Sequence, residues 1–113
     1  MAKIEIIDSL AKEIQKKFKG ESHNIIALLK TLEKNPKKGK FLGQFAGFAV
    51  KELKYKNFRF YFITDGYKLN VLSEEELINL LMKFVRMSDK KTQQKTIDQI
   101  IKILIKIGPQ GFD

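Results

Sequence analysis

Arginine is scarce in this chain, and its two positions mark where chemistry is expected. The sequence has 22 basic residues, of which only Arg59 and Arg86 are arginines. An arginine guanidinium binds a phosphate through two parallel hydrogen bonds, whereas a lysine ammonium acts as a compact point charge. Lysines crowd just before the first arginine, at Lys51, Lys54 and Lys56. We therefore expect functional residues here, and the alternative is an ordinary surface of a sheet edge.

The composition excludes several other kinds of site. There is no cysteine and a single histidine, His23, so neither a thiolate nucleophile, nor a Ser/His/Asp triad, nor a multi-histidine metal site can be built. The run Glu74–Glu76 points in three directions on a helix and suits a favourable interaction with the helix dipole rather than a carboxylate pair. We expect no metal and no cofactor, so any catalysis must use lysine, arginine and tyrosine.

Length and charge bound the class of protein. The 113 residues fit one domain, spanning 1–113, and the apolar content of 43% is that of a globular chain. A net charge of +9 favours polyanionic partners: nucleic acid, an anionic membrane surface or an acidic protein. No apolar run reaches the roughly 18 residues that span a bilayer, and the start of the chain carries acids where a signal peptide is apolar. We expect a soluble, cytoplasmic protein.

The first third of the chain predicts a strand and a helical hairpin. Lys3–Ile7 alternates weakly and is rich in isoleucine, which indicates a short strand. Apolar residues four apart, at Leu10, Ile14 and Phe18, indicate a helix, and a second helix begins at about Ser22. The lysine-rich and glycine-rich residues 34–48 that follow are predicted to be a loop.

Period-two alternation dominates the middle of the chain. It predicts the strands Val50–Tyr55, Phe58–Thr64 and Lys68–Leu72, joined by tight turns. A short helix at Ser73–Asn79 and a strand at Leu80–Met87 are predicted next, although the apolar residues of this stretch also fit a helix. The last element is a helix over 92–107, ended by Gly108-Pro109.

The second of these strands is predicted to have one core face and one open face. Phe58, Phe60 and Phe62 point to the side that we expect to be buried. Arg59 and Tyr61 point to the other side and are expected to be exposed.

The order of the elements predicts an α+β fold. A helical hairpin and a C-terminal helix beside it pack on a curved, mostly antiparallel sheet of four to five strands. No repeat or internal linker divides the chain.

Two motifs resemble a known family. Glu52-Leu53-Lys54, followed by Phe58–Phe62 (FRFYF), resembles the "ELR…YRILYF" pattern of the RelE/ParE toxin superfamily. Phe84–Gln94 (FVRMSDKKTQQ) is similar to the "GFVKKTQKT" segment of its phage-derived, HigB-like branch. The similarity runs from Lys3 to about Ile107 and implies a RelE-like fold.

The resemblance also implies a function. Such a protein is the toxin of a type II toxin–antitoxin system, a metal-independent, ribosome-dependent endoribonuclease (mRNA interferase) that inhibits translation. Its partners would be messenger RNA, the ribosome and an acidic antitoxin with which it forms a hetero-oligomer. It would not bind a membrane. The family's sheet arginine falls on Arg59, the arginine of "ELR" on Lys54 and the basic residue of "FVK" on Arg86, while Lys90 and Lys91 match the basic residues that follow.

Cleavage of RNA without a metal requires several chemical roles, and each can be assigned to a candidate residue. It needs a base for the 2′-hydroxyl and cations for the charge that grows on the phosphate. Lys54 and Lys56, close to other cations, are expected to have lowered pKa values and to supply a neutral amine as the base. Arg59 would hold the phosphate oxygens, and Arg86 would stabilise charge. The candidate RNA-binding residues are Tyr61, which would stack on a base, and Lys37, Lys38, Lys51, Lys90 and Lys91.

One departure from the family keeps alternatives open. Several members carry a C-terminal tyrosine near the scissile phosphate, but no tyrosine follows Tyr67 here. A non-catalytic module that binds RNA or the ribosome on the same fold is therefore one alternative. A gyrase inhibitor of the ParE kind is another, because this superfamily uses one scaffold for both activities.

Overall fold

The computed structural model describes residues 2–77 and 79–107 and confirms the α+β class. The helices and strands, in chain order, are β1 (Lys3–Ile6), α1 (Asp8–Phe18), α2 (Ser22–Lys30), β2 (Lys40–Phe45), β3 (Phe48–Tyr55), β4 (Phe58–Asp65), α3 (Gly66–Val71), β5 (Leu81–Asp89) and α4 (Gln93–Ile107). Short 3-10 turns lie at Lys19–Glu21, Thr31–Glu33 and Glu74–Leu77.

The described strands form one five-stranded sheet in the order β1-β5-β4-β3-β2. The pair β1 and β5 is parallel, and the other three pairs are antiparallel. The sheet is therefore mixed but mostly antiparallel, as predicted. The strand β4 lies at its centre, hydrogen-bonded to β3 on one side and to β5 on the other.

Both faces of β4 are buried. Phe60 and Phe62 are packed with the α1–α2 hairpin, while Tyr61 and Ile63 are packed with Ile100 and Leu104 of α4. We call these the hairpin face and the α4 face of the sheet.

The prediction that Tyr61 is exposed is wrong, because α4 does not lie beside the hairpin but covers the opposite face. Phe58, predicted to be buried, is only half-buried at the start of the strand.

The hairpin buries one apolar stripe against the sheet. Leu10 and Ile14 of α1 and Ile25 and Leu29 of α2 are fully buried in the same cluster as the phenylalanines of the hairpin face. Their spacing of four residues places them on one side of each helix, which is what the sequence predicted.

The segment 34–48, predicted to be a loop, contains the edge strand β2. Its register with β3 shifts between Phe41 and Gly43, which marks a β-bulge. A Cβ on Gly43 would lie 2.7 Å from the ring of Phe45, so a larger residue there would have to displace that ring. Ala46 and Gly47, at φ 52° and 85°, form the tight turn into β3. The lysines and glycines that indicated a loop thus serve an irregular strand and its turns.

The segment Lys68–Leu72 is not a strand. A turn was predicted just before it, at Asp65-Gly66, but Asp65 caps the helix α3 instead. The Oδ1 atom of Asp65 accepts a hydrogen bond from the backbone N–H of Lys68 at 3.0 Å, which is the geometry of an N-cap. The helix predicted over Ser73–Asn79 is a single 3-10 turn. The capping box predicted at Ser73–Glu76 is formed by one half: Glu76 accepts hydrogen bonds at 3.0 Å from the backbone N–H and the hydroxyl of Ser73, while its own N–H donates to the Ser73 carbonyl.

The last two elements agree with the prediction. The strand predicted over Leu80–Met87 is β5, and Asp89 at its end accepts a hydrogen bond from the N–H of Thr92 at 2.9 Å, just before α4. The predicted stop at Gly108-Pro109 lies outside the described residues. Across residues 2–77 and 79–107, no helix combines the length and the apolar character that crossing a membrane requires.

The packing of α4 can be tested with two neighbouring residues. Leu104 is 3% exposed and Ile105 is 66% exposed. We expect Leu104→Ala to lower the free energy of unfolding by about 2–5 kcal/mol, because it removes buried contacts and leaves a cavity. Ile105→Ala, the matched control, should change it by less than about 0.5 kcal/mol. Urea unfolding measures both, and equal losses would contradict this placement of α4.

Candidate functional site

Strand register aligns a row of polar residues across the α4 face. Lys40 of β2 lies opposite Glu52 of β3, Glu52 opposite Tyr61 of β4, and Tyr61 opposite Arg86 of β5. Directly opposed residues point to the same face with Cβ atoms about 5 Å apart. The row therefore crosses four neighbouring strands.

A second row lies one step nearer the end of the sheet. Lys54 is opposite Arg59, and Arg59 is opposite Ser88. Arg59 is also diagonal to Glu52, a relation in which Cβ atoms are about 7–8 Å apart and long side chains can meet. The guanidinium of Arg59 donates a hydrogen bond to the carbonyl of Asn57 at 3.3 Å. The two rows bring cations to both sides of one carboxylate.

An open cleft of about 520 Å³ lies at the β2 and β3 side of these rows, and we call it the basic cleft. Its lining residues are Lys38, Gly39, Lys40, Glu52, Leu53, Lys54 and Arg59. The side chain of Gln93, the first residue of α4, donates to Oε2 of Glu52 at 3.4 Å. Glu52 is only 7% exposed, whereas Lys54 and Lys40 are exposed. A nearly buried carboxylate thus lies at a cleft that four basic residues line.

This arrangement suits a phosphodiester. Two to four cations can hold phosphate oxygens, and a carboxylate within the same cleft can accept a proton. Of the residues expected to be catalytic, Lys54 and Arg59 lie here together, and Lys38 is the predicted RNA-binding residue that joins them.

Sequence reasoning did not single out Glu52 or Lys40. The signal for Glu52 was available: it precedes Lys54 by two residues in a strand, which places both on one face. Lys40 could not be placed, because the strand that carries it was predicted to be a loop.

Arg86 lies on the same face as Arg59 but lines a different cleft. This groove of about 190 Å³ is mostly apolar, and its lining residues are Ile7, Ile63, Val85, Arg86, Ile100, Ile103 and Leu104. A shift in register between Tyr61 and Phe62 marks a bulge, and the guanidinium of Arg86 donates to the carbonyl of Val85 at 2.7 Å. The two arginines therefore do not share one site.

Lys56 is not the neutral amine that the sequence predicted. It occupies the turn between β3 and β4 at φ 53°, and its ammonium lies 2.8 Å from the carboxylate of Glu21. The hydrogen bond and the negative charge of Glu21 raise the pKa of Lys56. This shift is opposite to the lowered pKa that a neutral amine base requires.

Tyr61 is a buried structural residue and cannot stack on an RNA base in this fold. It is 0% exposed, and its hydroxyl shares a 2.7 Å hydrogen bond with that of Ser88. Burial raises the pKa of the Tyr61 phenol, and this outweighs the opposite effect of the Ser88 bond.

The other predicted RNA-binding lysines are dispersed. Lys90 and Lys91 are exposed in the turn between β5 and α4. Lys37 and Lys51 line a cleft on the other side of the sheet, where Lys51 is buried against the ring of Phe62. Their binding of RNA stays a prediction, but Lys51 does not belong to the basic cleft.

A conservative substitution tests the structural role of the Tyr61 hydroxyl. Tyr61→Phe leaves the Ser88 hydroxyl without its partner, so we expect it to lower the free energy of unfolding by about 0.5–1.5 kcal/mol. The raised pKa means that the folded protein keeps a proton that the unfolded chain loses near about pH 10. Wild-type stability should therefore fall more steeply above that pH than the stability of the variant.

The exposed Tyr67 provides the control, since Tyr67→Phe should change neither quantity. Urea unfolding between neutral and alkaline pH measures both effects. Unchanged stability of Tyr61→Phe at both neutral and alkaline pH would contradict the structural role of the Tyr61 hydroxyl.

No match was found when the chain was compared with protein-family models, with curated proteins and with solved structures. The resemblance to the RelE/ParE superfamily therefore rests on the motif residues and the order of the elements. In the fold these motifs occupy β3, β4 and β5, which are neighbours in the sheet, and four of their residues, Glu52, Leu53, Lys54 and Arg59, line the basic cleft.

Proposed function

We propose that this protein is a toxin of the RelE-like kind that cleaves messenger RNA on the ribosome without a metal ion. The observation that carries the proposal is the basic cleft, in which Lys38, Lys40, Lys54 and Arg59 surround the nearly buried Glu52. A binding surface for RNA needs cations for its phosphates, and an enzyme needs in addition a proton acceptor within reach of the 2′-hydroxyl. The basic cleft contains both.

In this proposal Arg59 binds the scissile phosphate. Its planar guanidinium can hold two non-bridging oxygens at once, and it is in place before the charge develops. Lys54, directly opposite on β3, adds a second cation whose ammonium can move to the other side of the phosphate. Together they would stabilise the extra negative charge of the transition state.

Glu52 takes the role of the base. Its carboxylate would accept the proton of the 2′-hydroxyl as the O2′–P bond forms and the P–O5′ bond breaks. The products would be a 2′,3′-cyclic phosphate and a 5′-hydroxyl, whose proton comes from water or from the ammonium of Lys54. Glu52 suits this role better than Lys56, because the ion pair with Glu21 raises the pKa of Lys56.

The fold supports the proposal at a coarser level. A strand, a helical hairpin and three antiparallel strands are followed by the short helix α3 and a final strand–helix pair, an order similar to the one that the resemblance implies, although β2 replaces the predicted strand Lys68–Leu72. The tail that would carry the family's C-terminal tyrosine, residues 108–113, lies outside the described residues. Since no tyrosine follows Tyr67, the proton donor is assigned to water or to Lys54.

An acidic antitoxin is the proposed partner. The groove beside Arg86 combines an apolar floor with one guanidinium, and it opens next to Ile103, which is 39% exposed. An amphipathic segment with acidic residues would fill such a groove, since charge complementarity with a +9 protein speeds encounter and disfavours wrong partners.

The second candidate is a non-catalytic module that binds RNA or the ribosome. It is favoured by the loss of one predicted catalytic residue, since Lys56 is ion-paired with Glu21. The same basic cleft would bind a phosphate backbone without cutting it. None of the described residues specifically favours the gyrase inhibitor.

Cleavage rates distinguish these candidates. We expect Arg59→Ala to slow single-turnover cleavage of ribosome-bound messenger RNA by about 10²–10³, because a pre-organised charge stabiliser is lost. Glu52→Gln keeps the size of the side chain but removes the base, and should slow cleavage by about 10²–10⁴. Lys102→Ala and Lys3→Ala, which remove exposed lysines outside the basic cleft, are the controls and should leave the rate nearly unchanged.

Ribosome affinity is measured in parallel at one fixed salt concentration. If Arg59→Ala and Glu52→Gln cleaved RNA at the wild-type rate, the basic cleft would have no part in the mechanism. A wild type that binds ribosomes but never cuts RNA would replace the nuclease with the non-catalytic module.

A further inference from the structure

A buried lysine without a carboxylate partner lies on the hairpin face. Lys51 is 4% exposed, and its ammonium donates to the carbonyl of Lys37 at 3.0 Å and lies 5.8 Å from the centre of the Phe62 ring. Within residues 2–77 and 79–107, no acidic side chain forms an ion pair with it. A charge in this position is unusual, because an ammonium removed from water needs several hydrogen bonds and an opposite charge.

The surroundings of Lys51 make its charge harder to hold. Burial lowers the pKa of Lys51, and the positive charge of Lys37 lowers it further. Only one of the three ammonium hydrogens is accounted for by the carbonyl of Lys37. An anion would supply both the missing acceptors and the missing charge.

Space for such an anion adjoins Lys51. A cleft of about 310 Å³ lies against it and is lined by Lys37, Gly39, Phe41, Lys51, Leu69 and Asn70. We call it the Lys51 cleft. Its volume is at the lower end of the range of about 300–1,000 Å³ that small-molecule sites occupy.

The walls of the Lys51 cleft combine charge with a flat apolar surface. Phe41 is 51% exposed, which is unusual for a phenylalanine, and Leu69 lies in the same lining. Gly39 has φ 103°, and a Cβ there would approach the ring of Phe62 to 3.2 Å, so the backbone passes close beneath this cleft. The amide of Asn70 is held at the edge by a 3.1 Å hydrogen bond to Gln44.

We propose that the Lys51 cleft binds a small phosphate monoester with a planar apolar part, of the nucleoside monophosphate class. The phosphate lies between the ammonium groups of Lys51 and Lys37, and the base stacks on the exposed ring of Phe41. This site lies on the hairpin face and does not depend on RNA cleavage at the basic cleft.

Thermal unfolding with adenosine 5′-monophosphate, adenosine and inorganic phosphate at equal ionic strength tests the proposal. A ligand that binds only the folded state raises the unfolding midpoint as its concentration exceeds Kd. We expect a rise with the monophosphate, a smaller one with inorganic phosphate and none with adenosine. Lys51→Met, which removes the charge at nearly equal volume, should abolish the rise while the protein stays folded.

Lys37→Ala is the second variant, since an exposed side chain can be removed without unfolding the chain. It should weaken binding of the monophosphate about tenfold, which is the loss of one charged hydrogen bond. Lys34→Ala, a nearby exposed lysine outside the Lys51 cleft, should bind like wild type.

The absence of any rise with the monophosphate would overturn the proposal, as would an undiminished rise in Lys37→Ala. Binding of an RNA oligonucleotide, but not of the mononucleotide, with the same dependence on Lys51 would replace it by a contact to an RNA backbone.

Discussion

The fold depends on the burial of both faces of β4. This strand lies at the centre of the sheet, and its alternating side chains pack against the α1–α2 hairpin on one face and against α4 on the other. A central strand covered on both faces cannot itself present a broad functional surface. The two clefts lie instead along β2 and β3: Lys40 and Glu52 line the basic cleft, and Phe41 and Lys51 line the Lys51 cleft.

Charge is distributed unevenly between these two clefts. The basic cleft holds its cations around a carboxylate, so Glu52 offsets part of their mutual repulsion and can in addition take part in proton transfer. The Lys51 cleft has two lysines and no acidic lining residue. The first arrangement suits chemistry on a phosphodiester, and the second suits simple capture of an anion. The net charge of +9 thus does not show how the charged residues are grouped in the fold.

The sequence predicted those parts of the fold that depend on one strong local pattern. The alternating phenylalanines of β4 and the apolar stripe of α1 each have one physical interpretation. The predictions were wrong where a sequence pattern has two physical interpretations. Asp65-Gly66 serves as a hairpin turn or as an N-cap, the glycines near Gly43 indicate a loop or a bulged strand, and alternation along β4 does not say whether the second face meets water or a helix. The exposure of Tyr61 was wrong for this last reason, and the burial of Lys51 depends on contacts between segments distant in sequence.

The central claim is that RNA binds at the basic cleft on the α4 face. The most direct measurement is a nuclear magnetic resonance titration of the protein with a short 2′-O-methyl RNA, which binds but cannot be cut at a 2′-hydroxyl. The account predicts the largest chemical-shift changes at the side chains of Arg59 and Gln93 and at the backbone of Lys40 and Lys54. Changes confined to the exposed lysines of α1, with the basic cleft unaffected, would contradict it.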